Sequence, residues 1–272
     1  MNRYRFSPLL AAAAGVIALM AAPLVAEAHR AWMAPSSTVL SGSDAWIGVD
    51  AGMSNGVFIA DHAAMRLDGL TILGPDGQLL EPENMMRGRY RSTFDVHLTK
   101  QGTYRIANVM GGVVASYMLN GERQRWRGTP AEYPQGLPEG ATEVEASLSA
   151  MRVETFVTLG DLSDEVFTPT GHGLEMVPLT HPNDLVLDEP GRFRLLVDGE
   201  PAAGLEVTIA RGGTRYRTSP EEITVTTNAD GVYSVEWPQA GMYWMHAAVQ
   251  VPGAGDKLPL SAQYNGVVEV LP

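Results

Sequence analysis

The sequence predicts an all-β protein made of two immunoglobulin-like β-sandwich domains, and three observations predict it. Short runs rich in Val, Ile, Thr, Tyr and Phe recur along the chain, the composition of strands on a half-buried pleated surface. Gly, Pro, Asp and Asn punctuate them at short intervals, which suits hairpins and not the crossover helices of a parallel α/β sheet. No convincing amphipathic helix runs longer than about three turns.

Taken in order, strands are expected at residues 45–49, 70–73, 104–109, 153–159, 192–197, 206–210, 223–227, 232–237 and 243–249. Gly74-Pro75-Asp76-Gly77 reads as a turn, because proline presets φ and glycine accepts positive φ. Asn228-Ala229-Asp230-Gly231 does the same before Val232. Residues 124–142, broken by prolines and glycines around Trp126, read as a long loop inside the first domain. The polar Pro/Gly segment 163–173 reads as the boundary. It divides an N-terminal sandwich, 29–165, from a C-terminal one, 173–272.

The first residues carry an export signal. Arg3 and Arg5 precede an apolar, alanine-rich run from Leu9 to Leu24, and Ala26-Glu27-Ala28 supplies a small-x-small cleavage pattern. That run is short and weak for a membrane span, and no later stretch is apolar enough to cross a bilayer. Residues 1–28 are therefore expected to be a cleaved signal peptide, leaving a soluble periplasmic chain that begins at His29. Losing Arg3, Arg5 and Glu27 leaves 17 basic against 30 acidic residues, a net charge of −13, compared with −12 for the whole chain. Such an acidic balance argues against nucleic acid, which needs a basic face. It suits cationic partners. The absence of cysteine excludes disulfides and thiolate metal sites, so any metal is left to His, Met or carboxylate.

The second half resembles small immunoglobulin-like modules of bacterial surface and periplasmic proteins. The resemblance rests on Asp198-Gly199-Glu200-Pro201-Ala202-Ala203-Gly204, on Thr227-Asn228-Ala229-Asp230-Gly231 and on Ala240-Gly241-Met242-Tyr243. The chain as a whole resembles the DUF4198 family. Four places carry this: His29-Arg30-Ala31-Trp32-Met33-Ala34-Pro35, Tyr90-Arg91-Ser92-Thr93-Phe94-Asp95 leading to Gly102-Thr103-Tyr104-Arg105-Ile106, Gly173-Leu174-Glu175-Met176-Val177-Pro178-Leu179, and the turn at 198–204. The resemblance implies a periplasmic protein related to the soluble substrate-recognition part of nickel and cobalt uptake systems.

Six histidines remain after the leader: His29, His62, His97, His172, His181 and His246. His29 stands out, because cleavage after Ala28 would put a free α-amino group and an imidazole on one residue. Neutral nitrogen donors of this kind suit Ni, Co, Cu or Zn. His62 is the expected additional ligand, with Asp61 binding directly or positioning the ring. His97 lies in an alternating strand and is expected at the surface. His172 and His181 are nine apart, so an extended chain carries them to opposite faces. Met245 and His246 likewise point oppositely, which favours core methionine over a copper site. The five tryptophans read as core anchors before they read as a ligand groove. There is no H-E-x-x-H, G-x-S-x-G or P-loop pattern, and no enzyme is expected. The expected function is binding or delivery in transition-metal or metal-chelate uptake, in company with an envelope transporter. The alternative is an interaction module that partners an outer-membrane receptor.

Overall fold

The computed structural model describes residues 29–272, so the expected signal peptide, 1–28, lies outside the described residues. The first half supplies β1 (Arg30–Pro35), β2 (Val39–Leu40), β3 (Ala45–Ser54), β4 (Ala63–Ala64), β5 (Leu70–Leu73), β6 (Leu79–Leu80), β7 (Glu83–Arg87), β8 (Ser92–Leu98), β9 (Gly102–Leu119), β10 (Glu122–Gly128) and β11 (Thr142–Leu159). The second half supplies β12 (Leu174–Pro178), β13 (Gly191–Val197), β14 (Glu200–Pro201), β15 (Glu206–Arg211), β16 (Ile223–Thr226), β17 (Val232–Val235), β18 (Gly241–Val251) and β19 (Leu260–Val270). Two single 3₁₀ turns are the only helical pieces among the described residues. The protein is all-β, as its alternating runs require.

Three sheets stack as layers. The N-terminal layer runs β1-β3-β8-β7, with β4 on β3. The central sheet runs β16-β15-β18-β19-β11-β9-β5-β6, with β10 on β9 and β2 on β11. The C-terminal layer runs β12-β13-β14, with β17 on β13. The two sandwiches thus share a middle sheet, joined where β11 lies parallel to β19 from Leu148↔Leu260 to Thr155↔Val267.

Period-two alternation sends successive β11 residues to opposite cores. Val153 and Val157 face the N-terminal layer with Ile47, Val49, Phe94 and Ile106. Phe156 faces the C-terminal layer with Phe193, Leu195, Tyr233 and Tyr264. A strand with both faces covered reads as a continuous buried run, and every residue from Arg152 to Leu159 is buried.

Both expected turns form. Gly74 N–H donates to the Gln78 carbonyl (2.8 Å), and Gly77 has φ 75°. Asn228 Oδ1 accepts from the amides of Asp230 and Val232 (3.0 and 2.9 Å). At Gly231, φ is 72° and a Cβ would fall 2.4 Å from the Leu195 carbonyl, so only glycine fits.

The expected loop at 124–142 is corrected at its start, because residues 122–128 form β10 against β9 in register Glu122↔Leu119. Likewise 104–109 and 153–159 are only segments of two 18-residue strands, β9 and β11. Their outer halves are partly exposed and held by pairing across about 30–40 residues of chain. Local composition does not reveal pairing at that range.

Candidate functional site

The start of β1 sits where the two halves meet. Trp32 is buried; its Nε1 donates to Ser54 Oγ (2.7 Å), and that hydroxyl donates to the Gly56 carbonyl (2.5 Å). Trp244 Nε1 from β18 donates to the Ala31 carbonyl (2.8 Å). Trp32, Val57, Ala210, Trp244 and Val267 make a small core of their own, so the first strand is anchored across both halves of the chain. Arg30 extends this anchoring. Its guanidinium lies 5.0 Å from the Trp244 ring centre and pairs with Glu222 at 2.5 Å.

Those anchors hold His29 beside the loop after β3. The His29 and His62 rings stack with centroids 3.5 Å apart and planes 12° from parallel. Both residues are exposed. Imidazole lone pairs lie in the ring plane, so parallel rings aim them side by side. Sharing one ion requires one ring to turn about its side-chain bonds, and exposure leaves room for that. Asp61 Oδ1 accepts the Asn55 amide (3.0 Å), which shapes the loop that presents His62. Phe58 in the same loop has φ 58° and packs edge-on to Trp32 at 5.8 Å. A non-glycine residue in this region stores backbone strain that the surrounding packing must hold. Among the described residues, no group of three His, Asp or Glu side chains is arranged to hold a metal.

The other histidines lie elsewhere. His97 stacks on Trp46 (4.2 Å) and meets Asp44 at 3.2 Å on the surface of β8. His172 is exposed in the segment before β12. His181 Nδ1 accepts the Asn183 amide (3.1 Å), which leaves the proton on Nε2 to face the Ser163 carbonyl at 3.2 Å. Both of its nitrogens are therefore committed to structure, and burial pushes its pKa down. Met245 is fully buried in the C-terminal core. His246 points to the other face, stacked 5.4 Å from Trp244 with Nδ1 at 3.1 Å from Asn265 Oδ1. Burial lowers its pKa as well. Sequence reasoning missed the company of Arg30, Trp244, His246 and Glu222 around the first strand, because they lie some 190 or more residues apart in the chain.

The tryptophans do not line one groove. Trp32 and Trp244 share the small core, Trp237 belongs to the C-terminal core, and Trp46 is exposed. Trp126 lies apart from these, against Tyr133.

Across residues 26–251 the sequence matches the family described as "Domain of unknown function (DUF4198)". The chain belongs to the DUF4198 family. The matched span takes in His29, Arg30, Trp32, Asp61, His62 and Trp244, while Val267 of the small core lies beyond it. A comparison with curated protein sequences finds no match for this DUF4198 protein. Similar solved structures include a trypsin-activated alpha-2-macroglobulin from Escherichia coli, at 12% identity and TM-score 0.23, covering 89% of this chain and 15% of that one. A DUF4785 family protein from Legionella pneumophila matches at 10% identity and TM-score 0.24, covering 87% and 55%. The D0-D1 domain of intimin matches at 10% identity and TM-score 0.23, covering 88% and 97%. This chain therefore spans less than two thirds of the first two.

Proposed function

We propose that this DUF4198 protein is an exported, periplasmic, non-catalytic binding component for transition-metal uptake, taking nickel or cobalt-type ions or their chelates. One observation carries the reading: His29 and His62, 33 positions apart, lie ring against ring at 3.5 Å. If the leader is cleaved after Ala28, the α-amino group and imidazole of His29 form the primary chelate, and His62 adds a third nitrogen. Asp61 stands next to His62 and shapes its loop. The overall charge of −12 favours a cation over an anion. Delivery would then be to an envelope transporter.

Calorimetric titration of the chain beginning at His29 with nickel and copper tests this. Near-stoichiometric binding is expected, lost in His29→Ala, weaker in His62→Ala, and weaker as pH falls because protons compete for the nitrogens. Equal binding by wild type and His29→Ala would remove the reading.

A second reading, an interaction module for an outer-membrane receptor, is favoured by β7. This strand ends the N-terminal layer and exposes all five residues, Met85 and Met86 among them. Such an edge accepts an added strand.

A further inference from the structure

Three strands bring their inward side chains to one end of the N-terminal sandwich. On β3 these are Ile47, Val49, Ala51 and Met53; on β9 they end with Ile106, Asn108 and Met110; on β11 with Val157, Thr155, Val153 and Met151. Each series carries a methionine at the point where it reaches the opening. Met110 and Met151 are direct cross-strand partners, and Met53 joins them from the facing layer.

A core would close over three such side chains, but this one stays open. The next inward positions are Gly112 on β9 and Ser149 on β11, too small to cover the methionines. At Gly112 φ is 152° and a Cβ would lie 2.6 Å from the Gly128 carbonyl, so the backbone there disfavours a side chain. The result is a cavity of about 700 Å3 lined by Met53, Met110 and Met151. Its rim is charge-balanced, with Arg66 paired to Asp68 (2.8 Å) and with Arg127 and Glu132. One step below Met110, Asn108 is fully buried and closes the floor beneath the methionines, its Nδ2 donating to the Arg66 carbonyl (2.8 Å).

We propose that Met53, Met110 and Met151 form a thioether site for Cu(I), distinct from the nitrogen site at His29. Thioether sulfur is soft and suits Cu(I), whereas Ni and Co of the nitrogen site favour imidazole and amine. Thioethers carry no proton at these pH values, so this site keeps its affinity in acid where a histidine site loses it.

The test is titration of the protein with Ag(I), as a redox-inert stand-in, and with Cu(I) against a competing chelator, at pH 5 and pH 7. One equivalent should bind at both pH values, unchanged in His29→Ala/His62→Ala. The triple variant Met53→Leu/Met110→Leu/Met151→Leu should bind more than about 100-fold more weakly, since even outer-shell changes cost 10–100-fold. Met85→Leu/Met86→Leu should bind as wild type does. Methyl resonances of wild-type methionines, read during Ag(I) titration, provide a check that needs no variant, and those of Met53, Met110 and Met151 should move first. No binding, equal binding by the triple variant, loss in Met85→Leu/Met86→Leu, or shifts confined to other methionines would overturn the proposal. Loss of nickel binding in His29→Ala tests the nitrogen site alone, so the two ideas fail separately.

Discussion

The two faces of the central sheet are built differently. The face toward the C-terminal layer is sealed by interlocked aromatics: Phe156, Phe193, Tyr233, Trp237, Tyr243 and Tyr264. The face toward the N-terminal layer is mainly aliphatic and methionine-rich. Three cavities, of about 250, 420 and 700 Å3, are lined only by residues before Arg152. Large rings fill space with few side chains, whereas the opposite face meets glycine and short side chains at its open end. The contrast separates a C-terminal side filled by large rings from an N-terminal half that carries these cavities.

The largest expected effect comes from emptying the sealed side. Phe193 is fully buried and packs 5.4 Å from Tyr233, so Phe193→Ala should cost about 3–5 kcal/mol in urea unfolding. Met151→Leu, on the open side, should cost less than about 1.5 kcal/mol. Equal costs would erase the distinction between the faces.

A smaller effect tests how the N-terminal strand is anchored. Trp32→Phe removes the donor to Ser54 and should cost about 1 kcal/mol. It should also weaken nickel binding, because Ser54 ties down Gly56 in the loop that leads to His62. Full affinity in Trp32→Phe would show that the loop holds its shape without that bond.

The pH dependence sharpens the comparison further, because the sealed side carries buried charge. Glu175 is 3% exposed. Burial pushes its pKa up, but Thr170 and Gly171 amides and Arg152 at 3.0 Å outweigh that and hold it low. Its stabilisation is therefore present above the ordinary carboxylate value of about 4.3 and lost as pH falls through its lowered value. Glu154, 2% exposed, has the opposite sign: burial raises its pKa, beyond what Arg152 and Arg105 offset. Stability is lost as pH rises from the ordinary value through its raised one. Melting curves across pH should show Glu175→Gln less stable near neutrality and level with wild type in acid. Glu154→Gln should be more stable near neutrality. The same direction of change for both variants would contradict these assignments. His181, its pKa lowered by burial, adds a further acid loss below about 6.5.

Much of this was legible in the residues. The runs at 70–73, 192–197 and 206–210 became β5, β13 and β15 almost to the residue, because alternation against a core is a local pattern. Gly77 and Gly231 took the positive φ their turns demanded. His29 and His62 were singled out for their chemistry, and the fold places their rings together. The 124–142 stretch was misread at its start because Gln124, Arg125 and Arg127 are polar strand residues, held by β9 and not by burial.

The sequence by itself determined the strand class and the turns, which depend on neighbours a few residues apart. It also determined the absence of thiol chemistry and the family, which follow from composition and from motifs spread along the chain. Only the tertiary structure decided that one central sheet serves both sandwiches, through β11 beside β19. The same long-range pairing decided that Trp244 anchors the first strand and that methionines 53, 110 and 151 line one opening. Contacts between residues tens to hundreds of positions apart depend on how whole sheets stack, and no local pattern encodes that.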